Sequence, residues 1–419
     1  MRDDASAEQG QAGGIDRRGF LSAAAGSLAA MAVLPELGLA NMPSARAGIR
    51  VGVVGAGRHG RQVLAELSKI AGAEVVGLCD IDERRLSSGL RRTAGATGYA
   101  SVDELVAADL DAVVVATPTQ THLEVASKCM AAGKHTYVET PLAHTLEDCA
   151  RMIEASQAND VITAGGFQGR CNPVYKLARG FYRTDSVRDL VSIRAQRNSN
   201  ETWRTPSNDP AREKLLNWKL DPEVSIGLAG EWGSQQFDVV HWYTGEYPTR
   251  VRGHGSIRKH TDGRTIADTI ATDLIFADGA CMQYMATLAN SYQDMHEVFF
   301  GTNAAIKLAW SHGWLFKEAD APTQGWEVYA NREIFHKDEG ITLIADATQL
   351  ASQGKLQSGV GLPYTSLYYA LADFVASIEE GTTPACSIAE AARGTAVGIA
   401  ANEAVVSGRE VEVDLSALG

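Results

Sequence analysis

The sequence predicts an α/β protein in two parts: a doubly wound parallel sheet, then a second α/β domain with a large, mostly antiparallel sheet. Three observations carry this. Between residues 49 and 165, short apolar runs alternate with helical stretches, the rhythm of βαβ units. A glycine-rich turn, Gly55-Ala56-Gly57-Arg58-His59-Gly60, links the first strand to the first helix. Beyond residue 190, short alternating strands follow one another with hairpin signals between them. The length of 419 residues suits two or three domains, and a hydrophobic fraction of 45% supports a sizeable core and excludes disorder over most of the chain. With 38 basic and 51 acidic residues the net charge is −13, which argues against a nucleic-acid partner.

Residues 1–47 read as an address rather than a fold. A small, polar stretch from Ala5 to Gly14 precedes Asp16-Arg17-Arg18-Gly19-Phe20-Leu21 and a mildly apolar run from Ser22 to Leu34, closed by Pro35. Paired arginines before Phe-Leu and a short apolar run resemble a twin-arginine export signal. The run is too short and too weakly apolar to span a bilayer. Ala45-Arg46-Ala47 fits a cleavage site, with Gly38-Leu39-Ala40 as a weaker competitor. The expectation is a periplasmic or otherwise exported protein that meets the twin-arginine export machinery. That route moves folded proteins, which suits a chain that loads a cofactor in the cytoplasm.

Residues 48–165 form the first predicted domain. Ile49 to Val54 is a buried parallel strand, Gln62 to Ala71 a helix, and Glu74 to Cys79 a second strand closed by Asp80. In this setting the GxGxxG turn reads as a Rossmann dinucleotide site. Gly55 permits the tight turn, Gly57 lets the backbone approach a pyrophosphate, and Gly60 lets helix and strand pack closely. The free N–H groups and positive dipole end of the helix face the phosphates. Asp80 stands where a carboxylate takes the ribose hydroxyls and favours NAD; Arg84 and Arg85 nearby leave NADP open. Further strands are predicted at Ala112 to Ala116, Thr136 to Glu139 and Val161 to Gly165, with helices at Ser101 to Ala108, Leu123 to Ala132 and Leu146 to Asn159. The loops at strand ends place Thr117, Pro118, His122, Glu139 and Thr140 beside the cofactor.

The run Ala116-Thr117-Pro118, His122, Ala131 to His135 and Glu139-Thr140-Pro141-Leu142-Ala143 resembles the Gfo/Idh/MocA oxidoreductases. Gly166 to Pro173 and the stretch from Ser225 to Asp238 are similar to the opening of that family's second domain and to its substrate-site helix. The resemblance covers nearly the whole mature chain. It implies a Rossmann domain joined to a substrate-binding and oligomerisation domain over residues 166–419, a sugar or polyol substrate, and a homo-oligomer, either dimer or tetramer.

Residues 166–419 read without the family agree. Val191 to Gln196, Arg250 to Ile257 and Asp273 to Phe276 alternate like strands, Ala277 to Ala280 is a hairpin turn, and Cys281 to Thr287 returns from it. Val298 to Gly301 and Ala305 to Leu308 form another hairpin; Tyr364 to Ile378 and Ile388 to Val406 are helices with core-facing stripes. No cysteine pair or histidine cluster has metal-ligand spacing, and buried free thiols are the expected state of the six cysteines.

The chemistry departs from the family pattern. The family carries Glu-Lys-Pro at the fourth strand end, and this chain has Thr140 in the lysine's place. The substrate helix usually presents an acid and, four positions on, a histidine; here these are Glu231 and Gln235. Removing hydride from an alcohol requires that a proton leave as well, and Thr and Gln do not titrate in the working range. Replacement carriers are Glu231, Asp238 and His241. Glu231 and Asp238 stand two helical turns apart, and Asp238 is placed to orient His241. His241 is read either so or as a packing histidine beside Trp242. Arg170 is expected in the cleft between domains, and Lys219 either contacts a sugar hydroxyl or carboxylate or is a solvated surface lysine.

Three functions remain open on sequence alone. One is an exported NAD(P)-dependent oxidoreductase acting on a sugar, polyol or glycoside. Another is a glycoside lyase or hydrolase that oxidises the sugar transiently. The third is a non-catalytic relative that binds sugar or cofactor.

Overall fold

In the computed structural model, the apolar runs of the first half become one parallel sheet. β1 (Ile49–Val54), β2 (Ala73–Cys79), β3 (Thr97–Tyr99), β4 (Ala112–Val115), β5 (His135–Val138) and β6 (Thr163–Gly165) lie in the order β3-β2-β1-β4-β5-β6. The order reverses between β1 and β4, so a crevice opens at their carboxyl ends. All four residues of β4 are buried, as a strand covered on both faces requires. The structure describes residues 48–325, 327, 330, 332–335, 338–344, 350, 353–355 and 361–419. The leader expected at 1–47, with Arg17, Arg18 and its cleavage site, lies outside the described residues. Ala47–Gly419 is one compact unit.

The helices of this half are α1 (Arg58–Leu67), α2 (Glu83–Leu90), α3 (Val102–Val106), α4 (His122–Ala131) and α5 (Leu146–Gln157). α1 starts at Arg58, four residues before the sequence expectation, because the glycine turn is itself the helix entry with Gly57 as N-cap. Neither α2 nor β3 is predicted above. Asp82 caps α2 by accepting the Arg84 N–H, but charges and the Ser87-Ser88-Gly89 run hide its apolar face.

After α6 (Pro173–Arg183) comes the second sheet. β7 (Leu190–Asn198) precedes α7 (Pro210–Leu216) and α8 (Ser234–Thr244). Then come β8 (Arg250–Ser256), β9 (Thr269–Ile275), β10 (Cys281–Thr287), β11 (Met295–Gly301), β12 (Ala304–Ala309), β13 (His312–Lys317), β14 (Arg332–Phe335) and β15 (Asp338–Thr342). With β16 (Val411–Glu412) they form ten strands in the order β14-β15-β13-β12-β11-β7-β10-β9-β8-β16, antiparallel except for the β7–β10 pair. The hairpin expected at Ala277 to Ala280 forms: Phe276 N–H donates to the Ala280 carbonyl at 2.9 Å, and Gly279 takes φ 90°.

α9 (Ser366–Glu380) and α10 (Ile388–Ser407) return to the first sheet. Leu371 and Phe374 pack with Val53, Leu64 and Tyr137, whereas Ile388, Ala392 and Ala396 pack with Val115, Val138 and Phe167. A boundary at 165 therefore separates the two sheets but not the two cores. Cys79, Cys129, Cys149, Cys171, Cys281 and Cys386 are free, all but Cys281 buried.

Candidate active site at the junction of the two sheets

The turn after β1 is built to leave backbone exposed to a ligand. Gly55 has φ 98°, and a Cβ there would stand 2.5 Å from the Ala116 carbonyl oxygen. At Gly60 a Cβ would stand 1.8 Å from the Gly55 oxygen, so this glycine closes the helix onto the strand. Gly57 differs: its Cβ would meet only the Arg85 guanidinium, at 3.6 Å. No side chain caps α1, which leaves its first N–H groups to an outside acceptor. Asp80, at the tip of β2, holds the turn: its carboxylate accepts Ala56 N–H at 2.7 Å and Asp82 N–H at 2.8 Å. Each oxygen keeps lone-pair capacity for a ribose hydroxyl. This donor set fits an adenine dinucleotide: amides and a helix dipole for the diphosphate, a carboxylate for the ribose.

Just past β5, Glu139 is 5% exposed and its Oε1 lies 2.9 Å from Nε2 of His59 in the glycine turn. Burial alone would lower the His59 pKa; the Glu139 carboxylate, helped by Gln62, outweighs it and holds the pKa above its ordinary value. Thr117 accepts from the Thr121 hydroxyl at 2.9 Å, Pro118 caps the short turn Thr119–Thr121, and both stay partly exposed at the crevice.

Glu231 comes to this place from the second half of the chain. It lies on a five-residue π turn, Ala229–Gly233, at the entry to α8. Such turns often mark functional positions. The Thr119 hydroxyl donates to its two oxygens at 3.3 and 3.4 Å, and Lys219 Nζ is 3.6 Å from Oε2. Burial pushes the Glu231 pKa up, against the opposing pull of Lys219 and Thr119. Lys219 in turn lies 5.1 and 5.3 Å from the ring centres of Trp203 and Trp218. The π turn breaks the even helical phase behind the four- and seven-residue spacings, so Glu231, Gln235 and Asp238 find different partners. Gln235 Nε2 donates to Thr140 Oγ1 at 2.9 Å and to the Gly166 carbonyl at 2.8 Å.

Four sequence expectations need correction. Arg170 is 2% exposed, so it does not line an open cleft. Its guanidinium grips Asp238 through two bonds of 2.9 and 2.8 Å and also pairs with Glu390. Asp238, 0% exposed and held on both oxygens, is a structural counter-ion and not a proton carrier. Nor does it orient His241, which stacks on Tyr247 with ring centres 3.7 Å apart and follows the packing reading. His122 is buried with Nδ1 3.0 Å from the Pro141 carbonyl and Nε2 2.9 Å from the Thr117 carbonyl. It ties two crevice loops together and leaves no ring nitrogen for the cofactor.

Two contacts escaped sequence reading because their partners are far apart in the chain. Arg58 pairs with Glu201, 143 residues away. Arg212 on α7 pairs with Asp82 at 2.8 Å, 130 residues away. The segment from Glu201 to Arg212 thus reaches the crevice at both its diphosphate turn and its ribose end. Arg204 anchors this segment to Asp262 at 2.8 Å. Among the described residues no group of three or more His, Cys, Asp or Glu side chains is placed to hold a metal ion.

The parallel sheet, the open glycine turn and the carboxylate at β2 define a dinucleotide-binding oxidoreductase architecture. Residues 49–167 match the model of the Gfo/Idh/MocA oxidoreductase family's NAD-binding Rossmann fold, and residues 199–413 match that family's C-terminal α/β domain. The chain belongs to this family. It is 26% identical over 229 residues to glucose-6-phosphate 3-dehydrogenase of Bacillus subtilis, covering 53% of this chain and 62% of that one. It is 28% identical over 273 residues to myo-inositol 2-dehydrogenase of Thermotoga maritima, covering 64% of this chain and 75% of that one. The match thus spans less than two thirds of the first relative. A levoglucosan dehydrogenase solved with NADH and levoglucosan shares the fold at a TM-score of 0.68 and 19% identity, over 87% of this chain and 99% of that one.

Proposed function

We propose that this protein is a dehydrogenase of a sugar, polyol or glycoside hydroxyl, with Glu231 as the proton acceptor. The observation that carries the reading is one buried carboxylate, from the second half of the chain, brought against Thr119 on the loop after β4, one of the loops at the carboxyl ends of the parallel strands. Bound along the glycine turn, NAD supplies the hydride acceptor. Glu231 takes the hydroxyl proton, and its raised pKa suits that task better than an ordinary carboxylate's. Thr140 and Gln235, tied to each other and to Gly166, shape the floor and do not titrate.

Related dehydrogenases named for glucose 6-phosphate and inositol support the substrate class. The paired Arg17-Arg18 before Phe20-Leu21 supports export. An association of copies through the second sheet is supported by its outer face, which carries Met285, 42% exposed, on β10 and the partly exposed Val298 and Phe300 on β11. The test is a panel of sugars and polyols with NAD, followed by absorbance of the reduced nicotinamide. Turnover of at least one, abolished in Glu231→Gln, supports the reading; coenzyme binding without oxidation of any member rejects it. Loss of the family's lysine and histidine positions favours a second reading, glycoside cleavage through transient oxidation. Release of the aglycone without net NADH would select it.

A further inference from the structure

We infer that Lys219 is a catalytic residue: it supplies, from the second half of the chain, the ammonium that holds the reacting substrate oxygen. This rests on the dehydrogenase reading above. Position 140 at the end of β5 holds a threonine whose hydroxyl is occupied by Gln235 and the Gly166 carbonyl. No cation arises there. The cation that reaches the buried carboxylate is Lys219, in the short turn Trp218–Leu220.

Three features make Lys219 more than a surface charge. Its Nζ stands 3.6 Å from Glu231 Oε2, longer than a normal N–H···O bond, which leaves its donors available to a third group. Trp203 and Trp218 flank it, and Trp203 also packs edge-on against Trp232, the neighbour of Glu231, so the ammonium is fixed rather than free to sweep. The Glu231 carboxylate beside it also accepts from Thr119 on the loop after β4, which places the ammonium where the two halves of the chain meet.

The chemistry balances with these groups. The substrate hydroxyl gives its proton to the Glu231 carboxylate while the hydrogen on the same carbon leaves with its electron pair for the nicotinamide. The oxygen gains negative charge before it becomes a carbonyl. Lys219 donates an N–H to that oxygen and stays protonated throughout; Glu231 ends neutral and the product is a ketone. A preorganised donor of this kind contributes about 10²–10³-fold to the rate.

The test uses the full chain with NAD and whichever member of a panel of D-glucose, glucose 6-phosphate, myo-inositol and levoglucosan is oxidised. Lys219→Ala should bind NAD with the wild-type affinity by calorimetry and lose about 10²–10³ in kcat. Methylamine or ethylamine in the assay should restore part of that rate, which a structural lysine would not allow. Lys219→Met, which keeps the stem between the tryptophans, should show the same loss without rescue, because its side chain fills the amine's place. Kcat within threefold of wild type in both variants, or a loss that amines leave untouched in Lys219→Ala, overturns the inference while the dehydrogenase reading stands. If wild type binds NAD and oxidises no probe, the dehydrogenase reading falls and this inference falls with it.

Discussion

Gln235 Nε2 donates to Thr140 Oγ1 across 2.9 Å, so the two positions that the sequence reads as departures from the family pattern are partners of each other. The same amide reaches the Gly166 carbonyl, and its oxygen accepts the Gln168 N–H at 3.2 Å. One side chain therefore stitches the end of β5, the segment just after β6 and α8. Gln235→Ala removes all three bonds in a partly buried place and should cost about 1–3 kcal/mol of stability. Denaturant unfolding, with the coenzyme affinity measured alongside, checks it; the affinity should change little.

The glycines of the turn should separate fold from ligand. Gly60→Ala drives a methyl to within 1.8 Å of the Gly55 oxygen and should destabilise or misfold the chain. Gly57→Ala meets only the end of a flexible arginine, so the fold should survive. The methyl would stand where the diphosphate must approach the backbone, and NAD affinity should fall at least tenfold, about 1.4 kcal/mol. Circular dichroism and calorimetry on the two variants tell these outcomes apart.

Much of this half is legible in the sequence alone. The β1 run, the GxGxxG turn and Asp80 are local signals, with strand period, glycine need and acid all lying within 32 residues. In the second half of the site the sequence names Glu231, Gln235 and Lys219 but not the partners that hold them. Glu231 lies on a π turn, and no apolar periodicity announces an extra residue in a helix. Arg170 and Asp238 read as functional because charged residues near a family motif invite that reading, but pairing in the core explains them better. Contacts such as Thr119 with Glu231 span 112 residues, a separation that sequence spacing cannot encode.

Arg170 should therefore behave as a structural residue. Arg170→Ala leaves Asp238 buried without its counter-charge and should cost about 3–5 kcal/mol. Arg170→Ala/Asp238→Ala should recover part of that loss. A KM effect larger than the stability effect would return Arg170 to the substrate site.

Two ion pairs join the Glu201 to Arg212 segment to the coenzyme crevice, one at Arg58 and one at Asp82. Glu201→Gln and Arg212→Gln should each speed NAD release. Partly exposed pairs contribute about 0.2–1 kcal/mol each, so a factor between about 1.4 and 5 per variant is expected. Raising salt should mimic the variants in the wild type and do little to the double variant. Stopped-flow displacement of NADH measures all of these rates.

Glu231 links activity, pH and stability. Its folded pKa is raised by burial, so as pH rises the unfolded chain releases this proton first. Stability that the neutral acid contributes is present below the unfolded pKa and is lost as pH rises through the folded value. The ionised carboxylate needed for alcohol oxidation is thus the form that burial disfavours. Oxidation should rise with pH through that raised pKa, on an acid limb displaced above the ordinary carboxylate range. Glu231→Gln should flatten the limb and lower kcat by about 10²–10⁴-fold. The same variant should unfold at a higher temperature than wild type at neutral pH, because it removes the cost of a buried charge. A variant that loses activity and stability together would show that Glu231 serves the fold first, through its bond to Thr119 and its ion pair with Lys219.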